Sequence, residues 1–425
     1  MDEDLIYLIL YSIAFIGCYV YFLLKMKKHT IGVNLLLIYA ISSFTTIYFY
    51  LNTSQDIGKI YGEALIYLFG AFMVCFYPLL NFDETRIKRI SITSRGHKFI
   101  VYTSAFLALI MWEGTFEVFR NCLDISASQL ASIYDKQETG SNLRLSWIGG
   151  KIIMITNAFE FLLPIFVFYL LQYRKKYLLI IIGLSLGILS FILMAYANAQ
   201  RISIVKTILY LFLVFLVFRP FLDYRICRVI KYIGVSVGGL LLLIIIVTTL
   251  ARYNDKDNVS IDIWTWVSLY TGEGHLRFAE IIWGKLKIWS VGDNCFALIK
   301  DILGFPTFTD NWSRREYWEI RQGIPTYIFY TYIGDWVADL GYLLTFVWCF
   351  VIQKIQFFLL PSKSKNTITI EKLILLLLIW QFFYLGFTFY IYKPYAVQLN
   401  VLFAVFFCII LRLTRFYKSN SYEKK

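Results

Sequence analysis

"RKKYLLIIIGLSLGILSFILMAYANAQRISIVKTILYLFLVFLVF" (residues 174–218) reads as two apolar runs of helical length, joined by a short turn that holds a single charge, Arg201. Each run approaches the ~20 residues that a helix needs to cross the ~30 Å hydrocarbon core of a bilayer. A helix packed on a soluble core would keep one polar face, and these runs have none. The pattern recurs along the chain, at 5–24, 31–50, 62–81, 99–115, 147–171, 177–196, 202–218, 232–251, 325–352, 373–390 and 398–414, which makes eleven expected spans. The 425 residues are 59% hydrophobic and 19% aromatic with only 16% charge, which is too little charge for a soluble domain. The expected fold class is all-α: a polytopic helical membrane protein, one membrane domain over 1–425. The ninth span is long, and Gly323, Gly334, Gly341 and Pro325 open it to a kink or an interfacial start.

Orientation follows from the cations. One set of alternate loops is rich in Lys and Arg, among them Lys25, Lys27, Lys28; Arg86, Lys88, Arg89, Arg95, Lys98; Arg174, Lys175, Lys176; and Arg219, Arg225, Arg228, Lys231. The short loops of the other set hold only Lys59, Arg201 and Lys393. The positive-inside rule puts the first set in the cytoplasm, with the N-terminus outside and the C-terminus inside. The net charge of +13 is then mostly topology, and it gives no ground for nucleic-acid binding. Asp2, Glu3 and Asp4 precede the first run, so it does not read as a signal peptide.

Two expected external segments are long. Residues 116–146 are polar. Residues 252–322 form a cap before the ninth span and hold Trp264, Trp266, Trp283, Trp289, Trp312 and Trp318. Within the cap, "GEGHLRFAEIIWGKLKIW" (272–289) has the three- and four-residue apolar spacing of an amphipathic helix lying on the outer leaflet. Cys122 and Cys295 are the cysteines in these segments, where a disulfide is open to them. No Walker loop, G-x-S-x-G or H-E-x-x-H is present, which sets soluble-enzyme templates aside.

The candidate site residues are charges in apolar surroundings. Arg201 stands where an outer loop ordinarily lacks cations, and its fork suits a phosphate or diphosphate; a snorkelling arginine on lipid phosphate is the plainer account. Lys206 lies about 7–8 Å deeper along the same helix and should face the bundle. Arg314, Arg315 and Arg321 form a basic run at the entry to the ninth span, equally able to pair with Glu316 and Glu319. Arg277 could reach a headgroup or pair with Glu273 or Glu280. His275, the one external histidine, titrates near neutral pH or is a plain loop residue. Asp335 and Asp339 share a helical face and could accept a hydroxyl proton or, more in keeping with their setting, orient a cation. Glu160 sits inside the fifth span as a relay or an ion-pair partner. Asp255-Lys256-Asp257 has a D-x-D shape but an ordinary loop setting.

Two stretches, "ANAQRISIVKTILYLFLVFLVF" and "IPTYIFYTYIGDWVADLGYLLTFVWCFV", resemble segments of the oligosaccharide repeat-unit polymerases (O-antigen polymerases, Wzy type), a family related to the O-antigen ligases. The first carries the small-residue turn with its arginine. The second carries the aromatic run that ends in a D-[FL]-G element, here Asp339-Leu340-Gly341. The resemblance implies a glycosyltransferase of the bacterial cytoplasmic (inner) membrane that polymerises undecaprenyl-diphosphate-linked oligosaccharide repeat units on the outer face into O-antigen, capsule or exopolysaccharide. It implies Arg201, Arg277, Arg321 and Asp339 as catalytic residues, and Lys206, His275, Arg314, Arg315 and Asp335 at the substrate. No cofactor and no metal are expected, since arginines neutralise the leaving diphosphate. Expected partners are the lipid-linked donor and acceptor, membrane lipid, a chain-length regulator and a flippase. The poor match around His275 favours polymerase over ligase. A lipid-linked oligosaccharide flippase and an ion-coupled transporter are the rival classes; a transporter would lean on Glu160 and Lys206.

Overall fold

The computed structural model describes residues 2–123, 144–198, 200–236, 238–239, 263–308, 310–362 and 366–419. These are helical throughout, apart from two three-residue strands and the connecting turns. Among them, eight helices are long and apolar enough to cross a membrane, or nine if one bent pair counts as a span. They match eight expected spans: the first four, the sixth, the seventh, the ninth and the eleventh. The expected eighth, 232–251, lies mostly outside the described residues, as does Asp255-Lys256-Asp257. The chain divides into two compact units: Met1–Arg86, Ile261–Ser362 and Leu378–Leu399 form the first, and Ile87–Ser260, Lys363–Leu377 and Asn400–Lys425 the second.

The first unit begins with α1 (Glu3–Met26), α2 (Ile31–Asn52) and α3 (Gly62–Leu80). Asp2 caps α1 and two acids fill its first turn, while Lys27 ends it in a left-handed conformation; both ends thus complement the helix dipole. Thr30 caps α2 through the Val33 amide. α9 (Ile263–Arg277) continues into a π turn, Phe278–Ile282, and a helical turn, Trp283–Lys285. α9 crosses α2 where Gly272 lies against the backbone of Thr45 and Thr46, so close that a Cβ would stand 2.5 Å from the Thr46 nitrogen. A glycine is required there. Short α10 (Ala297–Ile302) and α11 (Asn311–Gln322) follow, then α12 (Thr331–Leu359).

α12 is broken. Of the four residues that could disrupt the ninth span, Gly341 does it, with φ +79° and ψ 172°. The helix starts at Thr331, so Gly323 and Pro325 precede it. Residues 386–393, after α13 (Ile370–Leu385), fold back as non-helical chain with Thr388, Tyr390, Ile391 and Tyr392 buried. Their carbonyls are used: Thr331 N donates to Thr388 O at 2.8 Å and Tyr332 N to Gly386 O at 2.9 Å. Buried irregular backbone survives only when satisfied in this way. The expected tenth span therefore holds a 16-residue helix, about 24 Å long, followed by buried turns.

In the second unit, β1 (Arg89–Ser91) pairs in parallel with β2 (Thr367–Thr369). α4 (Ser94–Leu123) packs along α7 (Arg174–Ala197), with Gly183 against Ala108. The expected fifth span is two helices, α5 (Trp147–Ala158) and α6 (Leu163–Leu171), bent by 72°. Pro164 stands at the start of α6; it has no N–H to give the carbonyl of residue 160, and its ring would clash there. α8 (Arg201–Phe218) and α14 (Tyr395–Ser419) complete the helices named here, with a further helical run at 224–236.

Candidate functional site

The break in α12 organises the first polar centre. Ser290 N and Val291 N donate to the carbonyls of Ala338 and Asp339, at 3.0 and 2.9 Å, so the segment after Trp289 occupies hydrogen bonds that an unbroken helix would have kept. Val291 (φ +49°) and Gly292 (φ +90°) then turn the chain around the Asp339 carboxylate. That carboxylate is fully buried. Its Oδ1 accepts from Ser290 Oγ at 2.6 Å, Gly292 N at 2.9 Å and Asn294 N at 3.2 Å, and its Oδ2 from Cys295 N at 2.8 Å. One turn earlier, Asp335 accepts from Lys393 Nζ and from Tyr390 N, each at 2.8 Å.

The shared helical face of the two aspartates is as the spacing predicts. The cation that Asp335 holds is Lys393. Asp339, expected among the catalytic residues, is enclosed by four donors and acts as the knot of the 290–295 turn. Arg314 is 1% exposed and donates to Lys393 O at 2.9 Å. Expected to touch substrate, it braces this joint from inside. Cys295, whose Sγ donates to Asp335 O at 3.5 Å, is a free thiol, as is Cys122, so the disulfide open to them is not formed. Burial pushes the Cys295 thiol well up, which leaves it inert.

The second centre lies on α9 and its π turn. Arg277 meets Glu280 at 2.5 Å and Glu273 at 3.6 Å, and also bonds Gln55. Glu280 in turn accepts from Gly58 N at 2.9 Å and faces Lys285. Glu273, Arg277 and Glu280 are all nearly buried. Arg277, expected as a diphosphate ligand, thus already has two carboxylates. His275 is wholly buried, with Tyr11 OH 2.8 Å from Nδ1 and Ser42 Oγ 2.8 Å from Nε2. Phe15, Tyr39 and Phe72 surround its ring. It is a histidine among the mid-helix residues of α1, α2 and α3, not an exposed loop residue. The surface helix expected at 272–289 is absent, because residues 272–282 are buried on every side and the helix is part of the bundle.

The third centre is exposed. Asp310 caps α11 through the Ser313 amide, and Gly323 closes it with φ +69°. Arg314, Trp318 and Gln322 turn inward at four-residue steps. On other faces the Arg315 guanidinium lies 5.5 Å from the Trp312 ring, and that of Arg321 lies 4.3 Å from Tyr317. Trp312 is 48% and Tyr317 36% exposed. The Lys287 side chain runs over Gly323. The basic run is therefore split, one arginine holding the fold and two facing outward on aromatic rings.

Arg201 and Lys206 belong to the second unit. Arg201 is the first residue of α8, after a turn closed by Gln200 N donating to Ala195 O at 2.7 Å; its side chain is outside the described residues. Lys206 meets Glu160 at 2.5 Å, each about one-fifth exposed. Glu160 sits in the break between α5 and α6, where Tyr210 OH donates to the freed carbonyl of Phe161 at 2.7 Å. Lys206 thus has the acidic partner its depth required. The sequence reading noted each residue and missed the pair, although two opposite charges in apolar spans are each other's natural partners. It also missed Lys393, Gln55, Tyr11 and Ser42. Lys393 carried a signal, as the one cation of its short loop. No family model, no curated protein and no solved structure matches this chain.

Proposed function

We propose that the chain is a membrane glycosyltransferase that polymerises undecaprenyl-diphosphate-linked oligosaccharide repeat units at the outer face of the bacterial cytoplasmic membrane. The observation that carries the reading is the outward face of α11, where Arg315 and Arg321 stack on Trp312 and Tyr317. Guanidinium forks neutralise a diphosphate leaving group, and exposed aromatic faces suit the C–H faces of sugars. The Arg201 turn and the Asp339-Leu340-Gly341 element add the resemblance described above. In this reading the acceptor hydroxyl attacks the anomeric carbon of the donor and lipid diphosphate departs. Arg321 and Arg315 touch the diphosphate; Arg201, at the positive end of α8 in the other unit, is a separate candidate for lipid phosphate. Asp335, Asp339, Arg314 and Arg277 position the elements around them.

The test is glycan display in cells lacking the gene, complemented at matched expression. The deletion should leave single repeat units where wild type gives a ladder, and Arg321→Ala and Arg201→Ala should fail to restore it. A ladder that survives the deletion refutes the reading. One observation favours a second reading: the Glu160–Lys206 pair at the 72° break is the arrangement an ion-coupled transporter would use. Substrate-driven proton flux in vesicles, abolished by Glu160→Gln, would favour it.

A further inference from the structure

The second unit contains a pocket of about 610 Å³ that none of the candidate site residues lines. Lys88 and Arg89, the first turn of α4 and the end of α6 contribute to its lining. Every charged lining residue is basic, with no carboxylate among them. α4 opens there with Ser94, so the positive end of a 30-residue helix faces the same space. His97 is fixed in the wall by Tyr169 OH, 2.7 Å from Nδ1, and Tyr177 OH, 3.3 Å from Nε2. Gln172 presents a buried amide nitrogen that has no acceptor among the described residues.

The wall is also braced. β1 is paired with β2, and Arg415 ties Ser91 O at 2.8 Å while meeting Glu371 at 3.2 Å. A braced cavity with cations, a helix N-terminus and an unmatched donor, but no acid, is built for an acceptor-rich anion.

We propose that this pocket binds an anionic phosphate group. The proposal is independent of the polymerase reading. The pocket lies at the end of the unit whose loops carry Lys88, Arg89, Arg174 and Lys176, the end that the charge pattern assigns to the cytoplasm. Two sources present the same chemistry: the headgroup of an acidic phospholipid, and a soluble phosphorylated compound.

The test uses the full chain, purified in neutral detergent, with thermal unfolding as the readout. One arm titrates inorganic pyrophosphate. The other titrates phosphatidylglycerol into micelles of constant phosphatidylcholine content. The expected result is a saturable rise in melting temperature in at least one arm. Its half-saturating concentration should increase about tenfold or more in Lys88→Ala/Arg89→Ala, and also in Gln172→Leu. Both cations are exposed, so the double variant should fold, and its melting temperature without additive checks that. A response to pyrophosphate assigns a soluble ligand; a response to phosphatidylglycerol alone assigns the lipid. No saturable response in either arm, or a response equal in wild type and both variants, overturns the proposal.

Discussion

Replacing Asp339 separates a structural knot from a catalytic base. The carboxylate accepts four hydrogen bonds, three of them from backbone amides of the 290–295 turn. Asp339→Ala strands these donors in a buried site. Each buried donor left unmatched costs about 1–3 kcal/mol, and such losses add incompletely when the turn relaxes. A total near 4 kcal/mol is therefore expected. Asp339→Asn keeps one acceptor oxygen and turns an –NH2 toward the Cys295 amide, at a cost of about 1–3 kcal/mol. At roughly 2–4 °C per kcal/mol for a cooperative unit of 150–250 residues, the alanine variant should melt about 10 °C or more below wild type, with the asparagine variant between them. The assay is thermal unfolding in detergent, followed by tryptophan fluorescence; Trp289 lies against Gly341 and reports the joint directly. Variants that melt within 2 °C of wild type yet lose glycan polymerisation would refute the structural assignment and return Asp339 to the reacting atoms.

Other outcomes follow from the same geometry. Gly341→Ala should lower the melting temperature by several degrees, because φ +79° is strained for alanine and its Cβ would stand 2.5 Å from the Trp289 ring; unchanged melting would remove the break from the account. For the Glu160–Lys206 pair, Glu160→Gln and Lys206→Met should each destabilise more than the double variant implies by addition, with a coupling of roughly 1–2 kcal/mol in a double-mutant cycle; additive effects would mean the pair is incidental.

Helices were legible where composition alone decides them. The eight long apolar helices needed no tertiary information. The spacing of Asp335 and Asp339 put them on one face. What was not legible is the consequence of long-range packing. Periodicity made 272–289 an amphipathic surface helix, yet its polar residues find Gln55, Gly58, Tyr11 and Ser42, more than 200 residues earlier in the chain. With those partners the polar face can be buried, so the pattern that marks a surface helix in isolation marks an internal one here. The bend in the fifth span was written in Pro164, but an apolar run around a proline reads as continuous until the carbonyl of residue 160 is considered.

The distribution of partners decides where substrate chemistry is to be sought. In an apolar bundle any backbone that leaves the helix must find donors and acceptors inside the protein. The chain places its ionised side chains at those points: Asp339 beside the Gly341 break, Asp335 against the amide of Tyr390 in the buried 386–393 segment, and Glu160 in the bend before Pro164. These are the charges that look most functional in a membrane sequence, because they are rare and costly there. Three of the sequence-derived candidates, Asp335, Asp339 and Arg314, are held by such backbone contacts, and Arg277 by two carboxylates. A group with its partners in place gains little by exchanging them for a ligand. Arg321, exposed on the Tyr317 ring and without an ion pair among the described residues, faces no such exchange, which is why Arg321 rather than Arg277 or Asp339 is the residue on which the polymerase reading stands or falls.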